Sequence, residues 1–368
     1  MRDAPPNQWH TWREIKAQPM IWRDWVAQFE PDDFRAWLAA HEAEEIWFCG
    51  SGTSAYIGDM IVAGLEGRSG LRSVPATDLV ARPAAYLTSK APLVINFGRS
   101  GNSAETLGTL NALDALAPRA SRLNITCNRN GQLAKRTRPQ DRLIVLPEAT
   151  HDTGFAMTSS FSTMMFTALM ILTDADTKPR VLRAADICET VLDSLTVLDN
   201  LPGMTGGMMG GLIESPPERA AFMGSGALTF AARESALKVM ELSAGRIPCL
   251  WDSILGFRHG PKSFVTDQTH LVVLAGYDTH KTHYERDLIA ELKQQFPGAR
   301  LTVIGPGGDV DVPQPDGPLW AAPNAVLFAQ VAGLLWADAL GLNVDNPFEG
   351  QGTLTRVVAD VKLYEVGA

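Results

Sequence analysis

The sequence predicts an α/β protein with two parallel sheets that arose by tandem duplication. Its 368 residues correspond to about two domains rather than one. Short apolar runs alternate with helix-compatible sequence, and this alternation is typical of parallel α/β sheets. The turn Gly50-Ser51-Gly52 is echoed 174 positions later by Gly224-Ser225-Gly226. The two halves of the chain are therefore expected to share one arrangement of strands, turns and helices.

In the first half, a strand at 46–49 runs into the first glycine turn, and a helical pattern over 55–65 follows. The same unit recurs as a strand at 93–97, a turn at 98–103 and a helix at 104–116. Two further strands are predicted at 123–127 and 143–146. The first half thus supplies at least four strands.

In the second half, an apolar run at 221–223 precedes the repeated turn, and strands are predicted at 247–250, 271–274 and 301–304. The strand at 271–274 continues into Ala275-Gly276-Tyr277-Asp278 and not into a serine turn. We therefore expect the two halves to have diverged in function.

The organisation along the chain follows from composition. Residues 1–40 carry tryptophans at helical spacings and predict amphipathic helices that pack on the main body: Trp9, Trp12, Trp22, Trp25 and Trp37. The first α/β domain is expected over 41–200. The segment 201–217 is rich in glycine and proline and suits a linker. The second domain is expected over 218–345, followed by a C-terminal tail at 346–368.

Composition and charge exclude several classes of protein. Apolar residues make up 45% and charged residues 20%, which fits a globular enzyme. The net charge of −9 and the lack of a basic stripe argue against a nucleic-acid partner. The apolar stretch 325–342 carries Gln330 and Asp338, so it predicts a buried helix and not a membrane span. The N-terminus lacks a signal-peptide pattern, which leaves the cytoplasm as the expected location.

The cysteines and histidines give no sign of a metal site. Four widely spaced cysteines without a CxxC motif predict buried free thiols: Cys49, Cys127, Cys188 and Cys249. His280 and His283 form an H-x-x-H pattern but have no third ligand in register, so we expect a solvated helix face there.

The two serine turns of the first half predict a phosphate site. Ligands of open parallel sheets collect beyond the carboxyl ends of the strands, where both turns are expected to lie. Backbone N–H groups at a helix N-terminus, together with hydroxyls, can bind a phosphate. Arg99 could add a bidentate contact. The alternative is that the hydroxyls only cap helices and the glycines only permit tight turns. The residues that supply the hydroxyls are Thr53, Ser54, Ser100 and Ser103.

The second half carries a candidate acid/base set. The helical run 232–242 places Glu234, Lys238 and Glu241 on one face, where a solvated ladder of ion pairs is the plain alternative. A nearby loop, Leu255-Gly256-Phe257-Arg258-His259-Gly260-Pro261-Lys262, contains a titratable ring. Histidine and a carboxylate can share proton transfers on one substrate. Asp252, just before this loop, either orients that ring or caps the turn.

Taken together, these motifs resemble the sugar isomerase (SIS) fold. The first half contributes FCGSGTSAYIGD, NFGRSGNSAET, ITCN and AMTSSFS, and the second contributes FMGSG, ARESALKVMELSAG and SILGFRHGPKS. The order of these motifs is similar to that of the tagatose-6-phosphate ketose/aldose isomerase family, whose members are also described as galactosamine-6-phosphate deaminases. The resemblance covers nearly the whole chain and implies two three-layer αβα sandwiches with flavodoxin-like parallel sheets.

The resemblance also implies roles for individual residues, partly through the more distant isomerase half of glucosamine-6-phosphate synthase. Glu241 matches the carboxylate that moves a proton between C1 and C2, Lys238 the lysine one turn earlier, and His259 the ring-opening histidine. Arg356 aligns loosely with a basic residue near the sugar. The implied substrate-binding residues are Ser51, Gly52, Thr53, Ser54, Arg99, Ser100, Asn102 and Ser103. Arg99 and Asn102 replace a glutamine and a glutamate of the synthase, which leaves the sugar's identity less certain than phosphate binding.

The activity implied is conversion of galactosamine 6-phosphate to tagatose 6-phosphate and ammonia, without a cofactor or metal. Ammonia release is expected because the synthase's glutamine-cleaving domain has no counterpart here. The alternatives are isomerisation of an unaminated hexose 6-phosphate, deamination of glucosamine 6-phosphate, and a sugar-phosphate sensor without turnover. The partner class is a small-molecule sugar phosphate, with neither nucleic acid nor membrane. A homodimer or higher homo-oligomer is expected, in which His259 enters the partner's site. The sequence leaves open the epimer, the C2 substituent, the oligomeric state beyond a dimer, and whether His259 acts in its own site or in that of the partner.

Overall fold

The structure, a computed structural model, describes residues 6–41, 43–87, 92–173, 176–196, 213, 215–277, 279–358 and 361–366. The predicted linker at 201–217 lies almost wholly outside these residues. The helices are α1 His10–Gln28, α2 Asp32–Ala39, α3 Thr53–Gly64, α4 Ala76–Ala81, α5 Pro83–Tyr86, α6 Ala104–Leu116, α7 Gln132–Lys135, α8 Ser159–Leu172, α9 Lys178–Thr196, α10 Ala227–Leu242, α11 Thr279–Gln295 and α12 Pro318–Ala339.

Within the described ranges, ten strands form two five-stranded parallel sheets. The first sheet contains β1 Ile46–Cys49, β2 Leu71–Ser73, β3 Leu93–Gly98, β4 Arg122–Thr126 and β5 Arg142–Val145. The second contains β6 Arg219–Gly224, β7 Cys249–Ser253, β8 Thr269–Leu274, β9 Arg300–Gly305 and β10 Val310–Asp311.

The two sheets have the same strand order. The first runs β2-β1-β3-β4-β5 and the second, read from its other edge, runs β7-β6-β8-β9-β10. This is the flavodoxin-like order 2-1-3-4-5 in both cases. The predicted fold class, two parallel α/β sheets arising from a tandem duplication, is confirmed.

The duplication extends to the backbone of the glycine turns. Gly52, before α3, has φ 55° and ψ −131°, and Gly226, before α10, has φ 58° and ψ −127°. A side chain is strained at positive φ, so glycine is needed at both positions. The sequence similarity between the halves therefore corresponds to one turn geometry used twice.

Three differences separate the predicted strands from those observed. The edge strands β2 and β10 were not predicted, because segments of three and two residues carry almost no apolar pattern. Strand β7 was predicted at 247–250 and lies at Cys249–Ser253.

The central strands β3 and β8 are buried along their whole length, which explains their strong apolar signal.

Helix α12 packs against α10 and fixes its position. Gly333 lies so close to α10 that an added Cβ would come within 3.2 Å of Val239 Cα. By length and composition α12 could cross a membrane, but 94% of its most apolar window is buried inside the protein. The prediction of a buried helix in this region is confirmed.

The chain divides into two compact units, each with one sheet. The unit with β1–β5 comprises Ile21–His151, Ser159–Lys178 and Leu354–Ala368, and the unit with β6–β10 comprises Met1–Met20, Asp152–Thr158 and Pro179–Thr353. Both units are thus built from separated stretches of chain. The boundaries predicted at residues 40, 200, 218 and 345 stay predictions.

Candidate active site

The first serine turn connects β1 to α3 in the unit with β1–β5. Thr53 and Ser54 begin α3 and are 4% and 5% exposed. The Ser51 hydroxyl is buried and has no hydrogen-bond partner among the described residues. Because a buried hydroxyl without a partner is costly, this atom is suited to receive a ligand oxygen.

The second serine turn connects β3 to α6. Ser103 is the N-cap of α6, and its Oγ accepts a hydrogen bond from the Thr106 N–H at 3.3 Å. Ser100 Oγ accepts from the Asn102 N–H at 3.2 Å. Both serines are half-buried. The capping role that the sequence allowed is therefore present, and the phosphate role of these hydroxyls stays a prediction.

The structure brings Arg99 and Arg356 together. Arg99 is 7% exposed, and its Nη2 donates to the backbone carbonyl of Arg356 at 3.2 Å. The first N–H of α6, from Ala104, donates to the Val358 carbonyl at 2.9 Å. The C-terminal segment therefore lies against the second serine turn through its backbone.

The side chain of Asn102 connects the second serine turn to α7, and its substrate-binding role stays a prediction. Its side chain is exposed, and its Oδ1 accepts from the Gln132 N–H at 2.9 Å, at the first residue of α7. This contact satisfies an N–H group that α7 itself cannot pair. Asn128 supports the same turn, because its Nδ2 donates to the Ser100 carbonyl at 3.0 Å.

The acid/base candidates lie on α10, in the unit with β6–β10. Glu234 and Lys238 are fully buried, whereas the Glu241 side chain is 25% exposed. Lys238 Nζ lies 2.5 Å from Glu241 Oε2 and 3.4 Å from Glu234 Oε1. The solvated ladder of ion pairs is therefore wrong for this helix. One buried ammonium is instead shared by a buried carboxylate and one that reaches solvent.

His259 lies on a loop between β7 and β8. It follows a short 3₁₀ helix at Gly256–Arg258, and its N–H donates to the Gly256 carbonyl at 2.8 Å. The His259 side chain is exposed, and its ring makes no hydrogen bond to the described part of the chain. Asp252 Oδ1 accepts from the Ser253 N–H at 2.6 Å, so this carboxylate stabilises the turn.

One residue that holds this loop was not found from the sequence. Glu291, on α11, forms ion pairs with Arg258 and Lys262, which flank His259. The hydrogen bond from Lys262 and then that from Arg258 lower the pKa of Glu291. No local signal could have shown this, because 33 residues separate Arg258 from Glu291.

No metal site is found in the described ranges, since no group of three His, Cys, Asp or Glu side chains could hold an ion. His280 and His283 are exposed on α11. Cys49, Cys127 and Cys188 are buried free thiols, as predicted, while Cys249 is only partly buried. Burial raises the pKa of Cys49 to about 12, so this thiol is unsuited to nucleophilic chemistry.

Comparison with known proteins gives consistent matches. The SIS domain family matches residues 41–173. The chain is 35% identical to the D-galactosamine-6-phosphate deaminase AgaS of Escherichia coli, over 96% of each chain. It is 33% identical to the enzyme of that name from Shewanella sp. (strain ANA-3), over 96% of this chain and 91% of the relative. The crystal structure of a tagatose-6-phosphate ketose/aldose isomerase from Escherichia coli is similar, with a TM-score of 0.83 and 33% identity, over 94% of this chain and 97% of that one.

Proposed function

The chain belongs to the AgaS family of SIS-domain proteins, and from this membership we propose that it converts galactosamine 6-phosphate to tagatose 6-phosphate and ammonia. The observation that carries the chemistry is the Lys238–Glu241 contact of 2.5 Å. It joins a buried cation to a carboxylate that reaches solvent, which is what a proton-transferring base needs.

In the proposed reaction, the first turn (Ser51 to Ser54) and the second turn (Arg99 to Ser103) bind the phosphate. The buried Ser51 hydroxyl supports this assignment, because it has no partner among the described residues. The dipoles of α3 and α6 favour an anion at the same helix N-termini.

The proton transfers then follow from the groups available. His259 assists opening of the hemiacetal ring. Glu241 takes the proton from C2, which gives an enolamine, and returns it to C1, which leaves an imine at C2. Water adds to that imine, and ammonia leaves as the C2 carbonyl forms. Each positioned proton transfer contributes about 10²–10⁴-fold to the rate.

Lys238 holds the carboxylate of Glu241 in position, because its Nζ donates to Glu241 Oε2 at 2.5 Å. Because the ammonium is buried, water screens its attraction to the carboxylate little. Lys238 therefore supports the base and need not itself transfer a proton.

A second candidate function is isomerisation of an unaminated hexose 6-phosphate. The observation that favours it is the similarity to the enzyme whose name is tagatose-6-phosphate ketose/aldose isomerase. The same C1/C2 proton shift serves both reactions, and they differ only in the substituent at C2. Deamination of glucosamine 6-phosphate is a further alternative. This sugar differs from galactosamine 6-phosphate only in its configuration at C4, so the same base could move the proton between C1 and C2. A sensor without turnover is disfavoured, because a protein that only binds a sugar phosphate needs no proton-transferring carboxylate such as Glu241.

The test is to incubate the protein separately with galactosamine 6-phosphate, glucosamine 6-phosphate and tagatose 6-phosphate, and to measure ammonia and ketose independently. We expect ammonia and tagatose 6-phosphate in equal amounts from galactosamine 6-phosphate. Ketose–aldose interconversion without ammonia would favour the isomerase. Binding without any product would favour the sensor. We also propose a cytoplasmic location and a homo-oligomer, in keeping with a phosphorylated substrate and the family.

A further inference from the structure

The loop that carries His259 has two attachments to the body of its unit. One is apolar: Phe257, two residues before His259, is fully buried in a cluster with Leu271 and Leu288. The other is ionic. Arg258 Nε donates to Glu291 Oε2 at 2.8 Å, and Lys262 Nζ donates to Glu291 Oε1. One carboxylate therefore holds both sides of the segment that contains His259.

The ionic attachment includes a fourth side chain. Lys262 Nζ also donates to Gln295 Oε1 at 3.2 Å, one turn beyond Glu291 on α11. Since Lys262 has two acceptors on one rigid helix, its position is fixed more firmly than by a single surface contact. Between the two cations lies Gly260, with φ 120°, and glycine has more backbone freedom than any other residue.

His259 depends on these attachments for its own position. Its exposed ring makes no hydrogen bond to the described residues of its own chain, so no side chain among them orients it. The position of its Cα is set by the backbone on either side, and that backbone is anchored through Arg258 and Lys262. We propose that Glu291 is a positioning residue that holds His259 in place for ring opening by binding the two cations that flank it. The inference rests on the proposed function of His259.

The expected effect on activity is much larger than the effect on stability. Glu291 is 27% exposed, and ion pairs at such partly exposed sites contribute little to folding stability. Displacing a catalytic group by about 1 Å can reduce turnover about 100-fold. A residue that acts by positioning should therefore change kcat while the melting temperature scarcely moves.

The experiment compares Glu291→Gln and Glu291→Asp with a matched control, Asp316→Asn. Asp316 also accepts from a cation through both oxygens, at 2.6 and 2.9 Å from Arg183, but it is not on the His259 loop. For Glu291→Gln we expect kcat on galactosamine 6-phosphate to fall about 10- to 100-fold, with KM within about threefold of wild type. Glu291→Asp, which keeps the charge, should recover part of this loss. Asp316→Asn should behave like wild type.

Hydrogen exchange of residues 254–265, measured by mass spectrometry, provides a readout that does not depend on turnover. Exchange in this segment should become faster in Glu291→Gln and stay unchanged in Asp316→Asn. Unchanged exchange in Glu291→Gln would overturn the attachment itself. Faster exchange with kcat within about twofold of wild type would overturn the positioning role and leave the proposed function intact. A wild-type protein that converts no sugar phosphate would instead overturn the proposed function, and this role with it.

Discussion

Lys238 Nζ lies 2.5 Å from Glu241 Oε2, and the lysine is fully buried whereas the glutamate is a quarter exposed. The pair therefore spans the boundary between the protein interior and solvent. The same ammonium lies 3.4 Å from Glu234, which is also fully buried. Removing one partner from a buried ion pair lowers the folding stability, because it leaves a buried charge without its partner. This arrangement connects the chemistry of Glu241 to the stability of α10.

Replacing Glu241 with Gln should remove turnover and leave binding. Glutamine keeps the shape and a hydrogen-bond acceptor for Lys238, but it cannot take up a proton. We expect kcat to fall by about 10²–10⁴-fold, with the affinity for sugar phosphate within a few-fold of wild type. Steady-state kinetics measure the first quantity and calorimetry the second.

Solvent exchange provides the control for this variant. In D₂O the wild type should place deuterium at C1 of the ketose, unless the proton returns without exchange, and Glu241→Gln should give neither product nor exchange at C2. Turnover within a few-fold of wild type would mean that Glu241 is only an ion-pair partner. His259 would then be the next candidate for the base.

Replacing Lys238 with Met should destabilise the protein. Methionine fills a similar volume, but the buried carboxylate of Glu234 would lose the cation beside it. Breaking a buried ion pair costs about 3–5 kcal/mol. Arg183→Met is the control, because its pair with Asp316 involves an arginine that is 47% exposed and should contribute about 0–1 kcal/mol. Denaturant unfolding of both variants measures the difference, and equal losses would contradict the prediction.

The phosphate role of the serine turns can be separated from capping. Replacing Ser100 and Ser103 together with Ala should raise KM strongly for phosphorylated sugar. Because Ser103 caps α6, the same change should cost about 1 kcal/mol of stability. Ser103→Asp keeps the cap and adds a negative charge. It should retain stability and still raise KM, since it repels the phosphate. An unchanged KM in both variants would eliminate the phosphate role.

Glu14 should make stability depend on pH. Burial, and then the charges of Asp152 and Asp345, raise its pKa from 4.5 to about 7, although its carboxylate accepts from the backbone N–H groups of Thr153 and Gly154. Between these pH values the folded state binds more protons than the unfolded chain, so stability falls as pH rises from about 4.5 to 7.

Glu14→Gln should therefore be more stable than wild type at pH 8, by about 1–3 kcal/mol once solvent screening at this partly exposed group is allowed for. At pH 4 the two proteins should differ much less. Glu148→Gln, at a side chain that is 91% exposed, should show no such dependence. Melting temperatures of wild type and Glu14→Gln at pH 4 and pH 8 measure the effect. If the two proteins differ by the same amount at both pH values, Glu14 does not make stability depend on pH.

The expected oligomer gives a further prediction. If His259 serves the partner's site, mixing inactive Glu241→Gln with inactive His259→Asn should restore part of the activity, because a mixed dimer has one intact site. The mixture must first be shown to exchange subunits, for example by native mass spectrometry of differently labelled chains. No recovery in exchanging mixtures would show that each site is built within one chain.

Much of the fold could be predicted from the sequence because its signals are local. Eight of the ten strands carry apolar runs, and the glycine turns indicate where α3, α6 and α10 begin. The exceptions depend on contacts that are not local. Strands β2 and β10 are short edge strands, and pairing with one neighbour is enough to form them. Ser103 was recognised as a cap or a ligand because both roles use the same position before a helix.

The sequence by itself determined the parallel α/β class, the duplication and the spacing of Glu234, Lys238 and Glu241 on one helix face. Periodicity and turn chemistry are properties of neighbouring residues, so they can be read along the chain. Only the tertiary structure decided that Glu234 and Lys238 on this face are fully buried, because the exposure of a side chain depends on the elements that pack around its helix. It alone also showed that Glu291 binds Arg258 and Lys262. An ion pair between distant residues forms only where the fold brings them within reach.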